Sequence, residues 1–179
     1  MSASPAVMPF AGLVRLGALA STVSGALRIA STFIPYEGGS VSLEALYGVI
    51  DLGLMLGLIT VYLANAERLC MAGLAAFAVA LAGIASIVGP DAVAFGVDFY
   101  RIGALVFVSG LALLSAVMLR AGVMRPVAVL WLATFAASLS ASVWAPAFMA
   151  AGVLLGASYL LAGAMLKGWA DRRVTPQHS

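Results

Sequence analysis

Charges punctuate this chain at wide intervals, and the apolar runs between them define its elements. Residues 69–90 form twenty-two positions without a charge and close on Gly89-Pro90, a pair that stops a helix. Residues 102–119 form eighteen more, held between Arg101 and Arg120. The run 126–166 lasts forty-one residues. As one helix it would reach about 60 Å, roughly twice the hydrocarbon thickness of a bilayer, so it has to fold back. The turn is expected at Ser142-Val143-Trp144-Ala145-Pro146, where the proline separates two helices and the tryptophan suits an interface. In the first third, charges interrupt the pattern. Residues 10–34 read as a helix carrying Arg28 and stopped by Pro35 and the loop Tyr36-Glu37-Gly38-Gly39-Ser40, and residues 43–63 read as the next, carrying Asp51 about two turns inside a start capped by Ser42.

Six spans follow: 10–34, 43–63, 69–89, 99–119, 126–143 and 147–166. Composition agrees, because 64% of the 179 residues are hydrophobic, 9% are charged and the mean hydropathy is +1.12. A soluble surface needs about a quarter of its residues charged. The expected fold is therefore an all-α polytopic membrane protein, a six-transmembrane-helix bundle with short loops, in which residues 1–179 make a single transmembrane domain.

Assigning alternate connections to opposite sides puts Arg15, Arg68, Arg120, Arg125, Lys167, Arg172 and Arg173 on one side and Arg28 and Arg101 on the other. The basic side is the cytoplasmic one, so both termini are expected inside, in a plasma or bacterial inner membrane. Glu37, Glu44, Asp91 and Asp98 fall toward the outer side. The first fourteen residues hold no Lys or Arg, so a cleavable signal with a basic start is not expected and the first helix is read as retained.

Several chemistries lack their residues. Cys70 is the single cysteine, His178 the single histidine and Lys167 the single lysine. An intrachain disulfide, a His-ligated haem, an HExxH zinc site and a serine-histidine dyad are thereby unavailable, and neither GxSxG nor a Gly-rich loop ending in GK[ST] occurs. No catalytic residue, cofactor or metal centre is expected. A net charge of +2 is too small and too scattered for nucleic acid. The expected surroundings are membrane lipids, with a homo-oligomer or a larger membrane complex as the protein partner.

Two glycine pairs at four-residue spacing, Gly53 with Gly57 and Gly152 with Gly156, mark faces where a neighbouring helix approaches closely, and Gly163 extends the second. Ser21, Ser24, Arg28 and Ser31 or Thr32 share one stripe of the first span, while Glu44, Tyr47 and Asp51 share one of the second. Antiparallel packing puts Arg28 and Asp51 at similar depth, as an ion pair that either selects a solute or fixes helix register. Ser21, Ser24 and Tyr47 are candidate cavity-lining residues beside it. Asp98 and Arg101, three apart at the start of the fourth span, are a second charged pair, read as a binding element or as an interfacial anchor. In the last two spans Trp131, Thr134, Ser138 and Ser142, with Ser158 and Tyr159, supply further polar groups. The five residues from Arg15 to Leu19 also match those from Arg101 to Leu105 except for Leu to Ile, the plan of an inverted repeat, but the match does not extend. Two functions are consistent with these residues: a small carrier or channel-like protein for a polar or anionic solute, or a non-catalytic accessory subunit of a membrane complex.

Overall fold

A computed structural model describes residues 7–35, 40–88, 93–94 and 97–174. Its helices are α1 (Val7–Ser31), α2 (Val41–Asn65), α3 (Met71–Ala85), α4 (Phe99–Ala121), α5 (Arg125–Ser140) and α6 (Pro146–Val174). A 3-10 turn, Ala66–Arg68, follows α2. Before α4 the two-residue strands β1 (Val93–Ala94) and β2 (Val97–Asp98) pair antiparallel, so among the described residues the fold is all-α apart from this one strand pair. The chain is a multi-pass membrane protein in which four helices, α1, α2, α4 and α6, are long and apolar enough to cross a bilayer.

The expected boundaries need correction where hydroxyl groups compete for the backbone. The third run yields only 15 helical residues, about 22 Å, because the Ser86 hydroxyl takes the Gly83 carbonyl at 2.7 Å and the chain tightens before residue 89. The fifth ends at Ser140, not 143: the Val143 and Trp144 amides both turn back to the Ser140 carbonyl. The sixth runs past 166 to Val174, since basic residues suit the end of a helix. The second starts at Val41 with Ser40 at its cap position; Ser42 lies inside the first turn, its hydroxyl 3.2 Å from that of Ser40. Gly89-Pro90, Glu37 and Asp91 lie outside the described residues.

Both ends of α4 are well specified. Asp98 accepts the Arg101 amide at 2.9 Å, and Gly122 leaves the helix at φ 69°, a left-handed conformation that costs glycine no steric strain. Pro126 then occupies the first turn of α5, where no amide donor is needed.

Consecutive helices pack side by side, and α6 returns to α1, closing the order into a ring with α2 also touching α6. Small residues govern the tightest seams. A Cβ on Gly25 would lie 2.6 Å from the Gly156 carbonyl oxygen, and one on Gly156 would lie 2.6 Å from that of Gly25, so α1 and α6 meet backbone to backbone. Likewise a Cβ on Gly83 would lie 2.6 Å from Phe107 Cα, which joins α3 to α4. Leu16, Leu19, Leu105 and Leu113 are more than half exposed along α1 and α4, the apolar outer surface that a lipid-facing helix requires.

The charge asymmetry is also spatial. Arg15 pairs with Asp171 at 3.2 Å, Phe10 meets the Trp169 ring edge at 5.7 Å, and Arg68 donates to the Ala121 carbonyl at 3.3 Å. These contacts gather the start of α1, the end of α6 and the α2–α3 and α4–α5 connections at one end of the bundle. Both side chains of the Arg15–Asp171 pair are 52% exposed, and Asp171→Ala should change the unfolding free energy by less than about 1 kcal/mol, checked by thermal denaturation in detergent.

The five-residue match has no counterpart in packing. Gly17 faces Thr60 of α2, the following helix, whereas Gly103 faces Ser86 and Ile87, which follow the end of the preceding one.

Candidate functional site

The α1–α2 seam runs antiparallel in a clear ladder: Gly17 faces Thr60, Ser21 faces Gly57, Ser24 faces Gly53, and the Tyr47 hydroxyl reaches the Ser31 carbonyl at 3.4 Å. The glycine face of α2 and the serine stripe of α1 are thus two halves of one contact. Ser21 spends its hydroxyl on the Gly17 carbonyl at 2.8 Å and, with Ser24, is buried in this seam instead of lining open space. Gly152 and Gly156 serve the other side of α1, against Thr32 and against Gly25 with Ile29.

The same ladder brings Arg28 level with Asp51. Sequence alone put Arg28 some six residues before its helix end; α1 stops at Ser31, so Arg28 occupies the last turn, a place favoured by the helix dipole. The matched depth survives because α2 begins beyond the end of α1. The Arg28 carbonyl accepts the Ser31 and Thr32 hydroxyls at 3.1 and 2.8 Å, which satisfies the terminus.

The side chains form a polar cluster. Asp51 is 7% exposed and lies within the field of the Arg28 guanidinium. The Arg28 guanidinium also lies near the Tyr100 hydroxyl at the start of α4, and Tyr100 in turn feels the charge of Asp51 and the hydroxyl of Tyr47. Arg28 and Asp51 are near enough to interact but do not close a contact ion pair, and the buried Nε of Arg28 has no hydrogen-bond partner. Deeper, Tyr159 of α6 rests against Gly57, whose Cβ would lie 3.0 Å from its ring. The Tyr159 hydroxyl is within the field of Asp51, fully buried and unpartnered. Trp131 of α5 stands beside it, ring centroids 6.0 Å apart, and its Nε1 is buried without a partner too.

Among the described residues, three donors from three helices, Arg28 Nε, Tyr159 Oη and Trp131 Nε1, are therefore held away from solvent with bonding capacity unused. A buried polar group without a partner costs about 1–3 kcal/mol, so each of these donors is a candidate contact for an acceptor. Three other buried hydroxyls, those of Ser115, Thr134 and Ser158, each donate to a carbonyl of their own helix. Asp98 and Arg101 stand apart, as an N-terminal cap and an exposed side chain at the rim.

Tyr159 and Trp131 were visible in sequence only as secondary candidates. The usable signal was register: Tyr159 falls three after Gly156 and four before Gly163, so it shares the face on which α6 meets its neighbours. The chain matches no protein family, curated protein or solved structure at a significant level.

Proposed function

We propose that this protein is a non-enzymatic carrier or channel-like protein of a cytoplasmic-type membrane, and that it binds a small anionic solute from the outer side at Arg28. The carrying observation is an interior guanidinium with an unpartnered Nε beside a carboxylate that does not close onto it. A purely structural bridge would have used that donor, since charge in a membrane interior is stabilised by the closest available pairing. Asp51 holds the guanidinium in place and Tyr100 presents it toward the rim. All six helices cross in this reading, α3 and α5 as short spans, with both termini cytoplasmic.

The function is tested by uptake of radiolabelled acetate into proteoliposomes. Arg28→Gln should lower uptake at least about tenfold, the effect of losing a charge-assisted hydrogen bond, and a melting curve measured in parallel should show that the variant, although destabilised by the loss of one charge, is still folded at the assay temperature. Unchanged uptake in a folded variant would make Arg28 structural. Absence of uptake by both proteins, with a stable larger complex co-purifying, would favour the accessory-subunit role.

The topology has its own reporter. Cys70 is exposed at the start of α3, and the Ala72 and Gly73 amides hold its thiol below the usual range, so it is more reactive toward maleimide near neutral pH. A membrane-impermeant maleimide should label Cys70 only from the cytoplasmic side. In a Cys70→Ser background, Val143→Cys, at a site 88% exposed between α5 and α6, should label only from outside. The reverse pattern would invert the bundle, and labelling of both from one side would change the span count.

A further inference from the structure

We propose that the α4–α5 surface binds an anionic phospholipid at its basic end, the lipid phosphate held by Arg68, Arg120 and Arg125 and the acyl chains laid on the exposed apolar stripes of the two helices. This surface lies at the opposite end of the bundle from Arg28 and is independent of the function assigned to that residue.

Three arginines converge on one turn. Arg68, in the turn after α2, donates from Nη2 to the Ala121 carbonyl at 3.3 Å, and Arg125 reaches back from the first residue of α5 until its Nη2 lies 3.4 Å from where a Cβ on Gly122 would stand. Both side chains are thus gathered at the Ala121–Gly122 peptide unit, their Nη2 atoms no more than about 11 Å apart, and Arg120 is the residue just before it. All three are exposed. Arginine side chains are long and rotatable enough to close that distance around one phosphate, whose oxygens match the guanidinium fork.

No carboxylate takes these charges. Among the described residues, the ion pair at this end is Arg15–Asp171, and Glu67, the other acid there, bridges to none of the three. Arg68 and Arg120 suit the end of α4, where the helix dipole favours a cation, but Arg125 opens α5, where the dipole opposes one. Helix stability therefore does not account for Arg125.

The register of the arginines selects a lipid over a free phosphate. Leu113, Ala116 and Arg120 follow one another at three and four residues along one exposed stripe of α4, and Arg125, Val129 and Ala136 follow at four and seven along one of α5. Leu113 and Val129 are 56% and 54% exposed. Arg120 and Arg125 each stand at the basic end of such a stripe, and the stripes are neighbours because α4 and α5 pack side by side. A phosphate bound there has apolar surface beneath it on both helices, which acyl chains cover and a free ion leaves bare. Basic residues that only orient the chain need no such register, since loop charge alone does that. A basic site at a membrane edge with apolar helix surface below it is suited to an anionic headgroup.

The test is thermal unfolding in a non-ionic detergent at constant ionic strength, with phosphatidylglycerol, phosphatidylcholine of the same acyl chains and glycerol 3-phosphate as probes. Phosphatidylglycerol should raise the melting temperature by several degrees, and neither the zwitterionic lipid nor the headgroup without chains should match it. In Arg125→Gln and in Arg68→Gln the phosphatidylglycerol fraction giving half the shift should rise about fivefold, the effect of one basic residue at a charged headgroup. Arg172→Gln, an equal loss of charge beside Asp171 on α6, should leave that fraction unchanged. No shift with phosphatidylglycerol, an equal shift with phosphatidylcholine, or an equal weakening in Arg172→Gln would overturn the site. A shift with glycerol 3-phosphate as large as that with the lipid would overturn the acyl-chain contact. Arg68→Gln also gives up the hydrogen bond to Ala121, so if it fails to fold, Arg125→Gln decides.

Discussion

Replacing Gly156 with valine should cost this bundle about 3 kcal/mol or more and lower its melting temperature by many degrees. The position has no room: a Cβ there would lie 2.6 Å from the Gly25 carbonyl oxygen and 2.6 Å from Ile29 Cγ1, and two further methyl groups would force α1 and α6 apart. Overpacking a rigid seam costs about 1–3 kcal/mol when side chains can yield, and more when the obstruction is backbone. In a membrane the loss is acute, because lipid is as apolar as leucine and close van der Waals contact is what holds the helices together. Gly12→Val in α1 and Gly48→Val in α2 are the controls. Nothing lies within 4 Å of a Cβ at either site, so both should melt within a few degrees of wild type. Equal losses at all three sites would show that glycine matters here through helix propensity and not through the seam.

Removing one charge of the Arg28–Asp51 pair should be worse than removing both. Asp51→Asn strands a guanidinium in the interior and should cost on the order of 2 kcal/mol. That is less than the roughly 3–5 kcal/mol typical of breaking a fully buried pair, because Arg28 keeps partial access to solvent. The double replacement Arg28→Met with Asp51→Leu removes both the attraction and the desolvation cost, and should fall closer to wild type than either single change. A double-mutant cycle on thermal stability in detergent measures the coupling, and strictly additive effects would mean that the two charges do not sense each other.

Much of this arrangement was legible in the sequence. The uncharged runs located α3 to α6, and the breaks at Pro35 and the glycine-rich loop after it separated α1 from α2, because a bilayer demands long apolar segments and tolerates few charges within them. The ends were harder. Hydropathy is continuous across Ser86 and Ser140, and only the local contest between hydroxyl and amide donors decides where the helical bonds stop. Spacing revealed the glycine faces of α2 and α6 but not their partners, since the register of Ser24 against Gly53, or of Gly25 against Gly156, is a property of two helices at once. The same limit applied to the site. Arg28 and Asp51 stood out as charges in apolar surroundings, whereas Tyr159 and Trp131 are unremarkable by composition and gain meaning only when their polar atoms prove to be buried without partners.

The most direct test of the account is whether an anion stabilises the protein through Arg28. Thermal unfolding in detergent should be followed at constant ionic strength as potassium nitrate replaces potassium gluconate, for wild type and for Arg28→Gln. A ligand at a hundred times its dissociation constant adds about 2.7 kcal/mol to stability, so the wild-type melting temperature should climb by several degrees with nitrate while the Arg28→Gln curve stays flat. Identical shifts in the two proteins, or no shift in either, would contradict an anion site at Arg28.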